Sequence, residues 1–172
     1  LSPKLHNFWF EKNNINANYG KRKIDKSEIQ KIVSEIKDNN LDGANVTVPF
    51  KSDVIPFLDM LSEESEITQS VNTIYKQDKK LIGHNTDIKG FELSLKETQF
   101  NLENKTIFIL GAGGVVPSII YALEKLGISK IIVSNRTKQK TENLKKYFSN
   151  ISVVDWGVQP EFDMIINPTS LG

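Results

Sequence analysis

The sequence predicts an α/β protein of two domains, the second of which is built on a parallel sheet. Three observations support this prediction. From Lys105 onward, strand-like and helix-like runs alternate, beginning TIFILGAGG, VVPSIIYALEKLG and KIIVSNR. Short strands and helices also alternate in the first half of the chain. Between the two halves, the polar and aperiodic stretch QFNLENK predicts a boundary near residues 99 to 104.

The composition and charge of the chain limit the kinds of partner that it is expected to bind. The chain has 172 residues, enough to bury one sizeable core or two small ones. Lys and Arg total 22 against 21 for Asp and Glu, so no net charge favours a nucleic acid or an anionic membrane. No apolar run reaches the roughly 20 residues of a membrane helix. We therefore expect a small molecule bound at a local site, with no nucleic acid and no membrane as partner.

The residue types that are absent or isolated exclude several kinds of chemistry. The sequence has no cysteine, which excludes disulfides, thiolate metal sites and a cysteine nucleophile, and fits a reducing compartment. The cytoplasm is the expected location. His6 and His84 lack carboxylates at ligand spacing, so no metal site is predicted. The chain opens on Leu1 and stops in a turn-like PTSLG, and we expect a piece of a longer protein, truncated at both ends.

The first domain, residues 1–100, is predicted to alternate short strands with helices. A helix is predicted over 24–40, with Ser27 as its N-cap, because its isoleucines and valine recur at helical spacing. The elements expected after it are a strand over 43–49, a helix over 54–61, two strands around the turn QDKK and an outgoing linker helix over 88–98.

The second domain, residues 101–172, is predicted to be the first half of a doubly wound sheet. Its order is strand, glycine turn, helix, strand, helix, strand and strand, which is the order of a Rossmann-type βαβαβ unit. The continuous apolar runs IFIL, IIV and MII suit strands that are covered by helices on both faces.

The glycine turn GAGG, residues 111–114, joins a predicted buried strand to a helix, which is the context of a dinucleotide site. Gly111 would permit the tight turn, and Gly113 would let the backbone approach a pyrophosphate. The N-terminus of the helix would add partial positive charge. The alternative is a glycine turn that binds no ligand.

The end of the next strand predicts which dinucleotide binds. Sites that prefer NAD usually carry an acidic residue roughly 20 residues past the glycines. Here Asn135, 24 residues after Gly111, is followed by Arg136 and Thr137. The arginine fork, with Lys138 and Lys140 following it, suits a 2′-phosphate, so NADP is predicted. The alternative is a solvated basic loop.

The run GANVTVPFK, residues 43–51, is predicted to be a strand that ends near a lysine. Period-2 alternation puts its apolar side chains on one face and Asn45 and Thr47 on the other. Polar groups on a covered face need hydrogen-bond partners or a cleft. Lys51 is a candidate proton donor at the entrance to the next predicted helix. The alternative, which spacing alone favours, is a surface lysine whose stem packs on Phe50.

A second polar group, HNTD at residues 84–87, precedes the outgoing helix. Its asparagine and threonine would cap that helix, while Asp87 would point into the cleft between the domains. An aspartate beside Lys51 would form a coupled pair that suits proton transfer. VNT, residues 71–73, adds a further amide and hydroxyl at a strand. The alternative for HNTD is an N-cap and nothing more.

Together these motifs resemble the shikimate dehydrogenase family, which includes quinate dehydrogenases. The matching motifs are, in chain order, SPKLHN (2–7), GANVTVPFK, VNT, GHNTD with Gly90, GAGG, NRT with Lys140, and NPTSLG (167–172). Their co-occurrence is far more specific than any one of them. The resemblance implies an NADP-dependent oxidoreductase that reversibly reduces 3-dehydroshikimate to shikimate, on the way to chorismate and the aromatic amino acids. It also implies that the first domain binds the substrate and the second binds NADP.

The resemblance implies a role for each site residue. Lys51 and Asp87 would be the catalytic pair. The residues implied to bind the substrate are Ser2, Asn45, Thr47 and Asn72. The residues implied to bind the cofactor are Gly111, Ala112, Gly113 and Gly114 at the pyrophosphate, Asn135, Arg136, Thr137 and Lys140 at the 2′-phosphate, and Asn167 to Ser170, including Thr169, on the next strand.

Two other functions stay open at this point. One is an enzyme that acts on quinate, or on both quinate and shikimate, with NAD; Arg136 argues against NAD. The other is a non-catalytic nucleotide-binding relative, against which the presence of both Lys51 and Asp87 counts. The expected assembly is a monomer or a homodimer.

Overall fold

The structure, a computed structural model, describes residues 1–128, 130–169 and 171. Within these residues the chain forms two four-stranded sheets, one in each half. The second sheet is parallel throughout. These features confirm the predicted α/β class. Among the helices of the described residues, none has the length and apolar character needed to cross a membrane.

The first half is a mixed sheet with helices. Its elements are α1 (Ser2–Lys12), a 3₁₀ turn (Lys26–Glu28), α2 (Ile29–Lys37), β1 (Gly43–Asn45), a second 3₁₀ turn (Ile55–Phe57), β2 (Met60–Leu61), α3 (Glu63–Thr68), β3 (Thr73–Gln77), β4 (Lys80–His84) and α4 (Asp87–Glu97). The strand order is β1-β3-β4-β2, with only β2 and β4 parallel. The hairpin of β3 and β4 turns at Asp78 and Lys79, as predicted from QDKK.

Helix α2 packs its apolar stripe on this sheet. Ile29, Val33 and Ile36 are buried in one cluster with residues of the sheet, which confirms the predicted helix. Its start differs from the prediction. Ser27 lies inside the preceding 3₁₀ turn, whereas Asp25 precedes that turn and its N–H donates to Glu28 Oε2 at 2.8 Å. Glu28 therefore closes the start of this segment in the manner of a capping box.

Two elements of the first half are shorter than predicted. The predicted helix over 54–61 is wrong, because only Ile55–Phe57 forms a 3₁₀ turn and the chain then extends into β2. Asp59 explains the difference: its N–H donates to Leu81 O at 3.0 Å and its carboxylate accepts from Leu81 N at 2.8 Å, which aligns the chain with β4. The strand predicted over 43–49 ends at Asn45, before a turn with a cis Val48–Pro49 bond.

Helices α1 and α3 were not predicted. Helix α1 buries none of its residues, and Leu5, Phe8 and Trp9, which recur at helical spacing, are about half exposed. Helix α3 is short, but its start has the usual signals: Ser62 Oγ accepts from Ser65 N at 3.3 Å, and three glutamates occupy the first turn. These local signals were readable in the sequence.

The second half is the predicted βαβαβ unit with a further strand. Its elements are β5 (Thr106–Leu110), α5 (Val116–Lys125), β6 (Lys130–Ser134), α6 (Lys138–Leu144), β7 (Ile151–Val154) and β8 (Met164–Ile166). The strand order is β7-β6-β5-β8. The ends of β5 and β6 therefore lie side by side, and the segments that follow them, at 111–114 and 135–137, meet at one edge of the sheet.

Strand β5 forms the centre of this half, and its burial gives a test of the core. Ile109 is fully buried between α5 and the neighbouring strands. We expect Ile109→Ala to lower the free energy of unfolding by about 2 to 5 kcal/mol, because it removes buried methyl groups and leaves a cavity. Ile15→Ala is the matched control, since Ile15 is about half exposed and its loss should cost less than about 0.5 kcal/mol. Equal losses in urea denaturation would contradict the assigned core.

Candidate active site

Lys51 and Asp87 are in contact. Lys51 Nζ lies 2.6 Å from Asp87 Oδ2, and the two side chains are 14% and 28% exposed. Lys51 lies in the turn that follows β1, where its carbonyl accepts from Val71 N at 2.9 Å. Asp87 is the first residue of α4. The structure thus brings the two predicted members of the pair together although 36 positions separate them in sequence.

Asn72 holds the carboxylate of this pair in place. Its Nδ2 donates to Asp87 Oδ1 and to Thr86 Oγ1, both at 2.9 Å. Its Oδ1 accepts from Thr86 N at 3.0 Å and from Thr73 Oγ1 at 2.9 Å. Asn72 is buried just before β3, and its amide is fixed by Thr73 of β3 and by the start of α4. Asp87 is therefore held by a cation on one oxygen and an amide on the other.

Asn45 belongs to a neighbouring network that includes an unpredicted tyrosine. Asn45 Nδ2 donates to Thr73 Oγ1 at 3.1 Å and to Asn72 O at 3.3 Å, and its Oδ1 accepts from Tyr19 OH at 2.9 Å. The Tyr19 ring stacks on His6 at 4.3 Å between centroids. Both N–H donors of Asn45 are thus used within the protein. Tyr19 was not predicted, because its only local signal is a single aromatic residue in a polar segment.

The other two residues implied to bind the substrate lie outside this network. Thr47 is exposed in the turn after β1, where its carbonyl accepts from Phe50 N at 3.0 Å. Ser2 is exposed at the start of α1. Among the described residues, neither side chain forms a hydrogen bond to Lys51, Asp87 or Asn72.

The glycine turn after β5 has two different kinds of glycine. Gly111 has φ +119° and donates its N–H to Ser134 O at 2.7 Å, and a Cβ at this position would lie 3.0 Å from Thr169 Cγ2. Backbone conformation and packing thus both require a glycine here. Gly113 and Gly114 lie outside the left-handed region, and a Cβ on either would meet no protein atom within 4 Å. The space in front of Ala112, Gly113 and Gly114 is open.

The basic loop after β6 presents two cations to solvent. Arg136 and Lys140 are exposed, and within the part of the chain that the structure describes neither forms an ion pair. Lys138 differs, because its Nζ lies 2.9 Å from Asp155 Oδ1 and this hydrogen bond raises the pKa of Lys138. The Asn135 side chain donates to Thr137 O at 2.9 Å and so shapes the loop.

The segment after β8 returns toward the glycine turn. Thr169 donates its hydroxyl to Asn167 Oδ1 at 2.7 Å, and its backbone N–H donates to the same oxygen at 3.2 Å. The Thr169 methyl group is the one that a side chain at Gly111 would meet. Ser170, the last residue implied to line the cofactor here, lies outside the described residues.

One cleft of about 400 Å³ joins the two halves of the site. From the first half it is lined by the turn that carries Lys51 and by the end of α3. From the second half it is lined by the glycine turn and by one face of α6. The lining residues that matter here are Val48, Lys51, Ser70, Gly113, Gly114 and Lys140. A ligand in this cleft would therefore touch the lysine of the pair and the glycine turn at once.

The fold and the site together define a class of protein. It comprises two-domain α/β proteins in which a Rossmann-type half shares a cleft with a lysine–aspartate pair held in the other half. Residues 1–74 match the sequence model of the shikimate dehydrogenase substrate binding domain, and residues 92–168 match that of shikimate / quinate 5-dehydrogenase. The chain belongs to the shikimate dehydrogenase family.

Individual relatives agree with this assignment. The chain is 58% identical, over its whole length, to a shikimate dehydrogenase (NADP(+)) of Pelagibacter ubique, and it spans 65% of that protein. It is 36% identical to a shikimate dehydrogenase (NADP(+)) of Acinetobacter baumannii, with 98% of this chain and 67% of that one covered. It resembles the crystal structure of the Thermus thermophilus enzyme in complex with NADP(H) and shikimate, with a TM-score of 0.87 at 28% identity over 98% of this chain and 63% of that one. The chain thus spans about two thirds of these proteins.

Proposed function

We propose that the protein catalyses the NADP-dependent, reversible reduction of 3-dehydroshikimate to shikimate, a step toward chorismate and the aromatic amino acids. The observation that carries this proposal is the contact of Lys51 with Asp87 at a cleft that also contains the glycine turn. The names of the relatives, and the shikimate and NADP(H) in the Thermus structure, support the choice of substrate and cofactor. A monomer or homodimer in the cytoplasm remains the proposed state and location.

The proton and the hydride take separate routes in this reaction. When bound, NADPH would supply the hydride for the ketone carbon of the substrate and would be oxidised to NADP⁺. The Lys51 ammonium donates a proton to the oxygen that becomes the hydroxyl, and a proton from water restores the ammonium. Asp87 holds Lys51 Nζ in place at 2.6 Å and stabilises its positive charge. In the direction of shikimate oxidation, the same residues take up the hydroxyl proton.

The substrate carries hydroxyl groups and a carboxylate, and the polar residues around the pair suit them. We assign Asn72, Asn45, Thr47 and Ser2 to these groups. Thr47 and Ser2 are the favourable candidates among them, because both are exposed and neither is engaged with the pair. Asn45 and Asn72 each have both N–H donors occupied within the protein, so they position neighbouring groups as much as they contact the substrate.

The residues of the second half fit NADP. The space in front of Gly113 and Gly114 is open, and neither the φ angle nor the packing requires a glycine at these positions. Such open space suits the close approach of a pyrophosphate. Arg136 and Lys140 are the cations available for a 2′-phosphate, because Lys138 is paired with Asp155. The remaining assigned contacts come from the segments that follow β6 and β8, the strands on either side of β5. Their residues are Asn135, Thr137, Asn167 and Thr169.

Quinate is a second candidate substrate. The sequence model that matches residues 92–168 is described as shikimate / quinate 5-dehydrogenase, which favours testing both compounds. A steady-state assay of NADP reduction with shikimate and with quinate decides between them. A higher kcat/KM for quinate would overturn the choice of shikimate.

Lys51→Ala tests the assignment of the proton donor. We expect kcat to fall by a factor on the order of 10² or more, because a positioned proton donor is lost, while the Kd for NADP changes little. Lys26→Ala is a matched control, since Lys26 also pairs with an aspartate, Asp53, but Lys26 is exposed and neither residue lines the cleft. Near-normal turnover of Lys51→Ala in the assay would refute the assignment.

Gly113→Val tests the glycine turn. The new side chain would enter space that is free of protein atoms, so the free energy of unfolding should change by less than about 1 kcal/mol. The Kd for NADP should rise at least about 10-fold, because the side chain would occupy the place of the pyrophosphate. Gly20→Val, in equally open space, should leave the Kd unchanged. Unaltered NADP binding by Gly113→Val in calorimetry would mean that the turn does not bind the pyrophosphate.

Arg136→Ala tests the choice of NADP over NAD. A charge-assisted hydrogen bond to a phosphate is worth about 1.5 to 3 kcal/mol, so kcat/KM for NADP should fall about 10-fold or more. The value for NAD, which lacks the 2′-phosphate, should change by less than about threefold. Lys146→Ala removes an equal charge from the same half and is the control. Equal losses for both cofactors would argue against a 2′-phosphate contact at Arg136.

A further inference from the structure

The Asn85 side chain is a buried amide located where the two halves of the protein meet. Asn85 follows β4 and is only 2% exposed. A buried amide is costly unless its donors and its acceptor are bonded. The identity of its partners therefore indicates what the residue does.

The donors of Asn85 connect the first half to the second. Its Nδ2 donates to Ser70 O and to Ser118 Oγ, both at 2.9 Å. An amide nitrogen has two N–H groups, so these two acceptors use both. Ser118 belongs to α5 and is itself 1% exposed. One donor thus stays within the first half, whereas the other reaches the helix that begins at the glycine turn.

The acceptor of Asn85 holds the start of α4. Asn85 Oδ1 accepts from Asp87 N at 3.0 Å. N–H groups in the first turn of a helix have no acceptor within the helix, so this bond helps to determine where α4 begins. The amide has only one orientation that fits, because a flip would turn a donor toward Asp87 N and an acceptor oxygen toward Ser70 O.

A short chain of bonds therefore links the nucleotide end of α5 to Asp87. Ser118 lies four positions after Gly114, near the start of α5, and Asn85 bonds both Ser118 and Asp87. A longer contact, 3.5 Å from Ser70 Oγ to Gly114 O, runs alongside it. The carboxylate that contacts Lys51 is thus tied to the element that carries the glycine turn.

We propose that Asn85 and Ser118 are positioning residues for the reaction: their hydrogen bond sets α4 against α5 and so keeps Asp87 in register with Lys51. This inference rests on the proposed function and concerns two residues that neither bond Lys51 nor line the cleft themselves. Loss of the bond displaces Asp87 slightly. A small displacement of a catalytic group lowers turnover more than it lowers binding.

Ser118→Ala tests the hydrogen bond between Asn85 and Ser118 with little expected effect on folding. The variant removes only the hydroxyl and leaves a good helix former in α5. The freed N–H of Asn85 still has an acceptor, because Thr68 Oγ1 lies 3.4 Å from Nδ2. That acceptor belongs to the first half, so the amide remains bonded while its link to α5 is lost. Ser65→Ala is the matched control, since Ser65 is equally buried and its side chain, within the described residues, bonds only Ser62 at the N-cap of α3.

Two measurements decide the inference. In the ligand-free protein, amide hydrogen exchange at Asp87 should be at least about threefold faster in Ser118→Ala than in wild type and in Ser65→Ala. In steady-state assays, kcat of Ser118→Ala should fall about 10-fold, with KM for shikimate and for NADP within about twofold of wild type. A purely structural role for Ser118 would lower thermal stability without this split between kcat and KM.

The outcomes separate this inference from the proposed function. If Ser118→Ala matches Ser65→Ala in both exchange and kcat, or if its losses are confined to KM or thermal stability, the inference is wrong. If the wild-type protein does not reduce NADP with shikimate, the proposed function is wrong. The exchange measurement needs no ligand, and it then decides by itself whether Ser118 positions Asp87.

Discussion

Helix α4 begins where two asparagine amides hold it, and the arrangement of the site depends on that start. Asn72 precedes β3 and Asn85 follows β4, and the paired strands of this hairpin bring them side by side. Asn72 accepts from Thr86 N, and Asn85 accepts from Asp87 N. Two consecutive N–H groups at the start of the helix are thus bonded by side chains. As a result Asp87 faces Lys51, whose carbonyl accepts from the N–H of Val71, the residue before Asn72.

The positive charge of the site comes from a few residues at the cleft and not from the net charge of the chain. The chain as a whole has nearly equal numbers of acidic and basic residues. Lys51, Arg136 and Lys140 nevertheless lie on the cleft or on the loop next to it, where the proposed substrate carboxylate and cofactor phosphates would bind. Lys138, the first residue of α6, is paired with Asp155. Lys51 is paired with Asp87, whereas Arg136 and Lys140 form no ion pair within the described residues, a difference that net charge could not have indicated.

Sequence reasoning succeeded where a pattern is local and strong. The parallel second half follows from continuous apolar runs separated by a glycine turn and amphipathic helices, and the structure has these elements in the predicted order. It failed where weak local signals competed with tertiary pairing. The segment 54–61 looked helical, but Asp59 pairs with the backbone of β4 and draws the chain into a strand. Helix α1 was not predicted either: Leu5, Phe8 and Trp9 recur at helical spacing, but no residue of the helix joins the core.

The sequence by itself determined the class of fold, the residue types of the site and the family. The reason is that glycine turns, apolar strand runs and the co-occurrence of motifs can be read from the order of residues alone. Only the tertiary structure decided how those residues meet. The 2.6 Å contact of Lys51 with Asp87 depends on a hairpin that closes between them, and the link from Asn85 to Ser118 depends on the packing of α4 against α5. The contact of Tyr19 with Asn45 arises in the same way. All three contacts join residues far apart in sequence, so their geometry exists only once the chain has folded. The bond from Asn85 to Ser118 further requires the two halves to pack together.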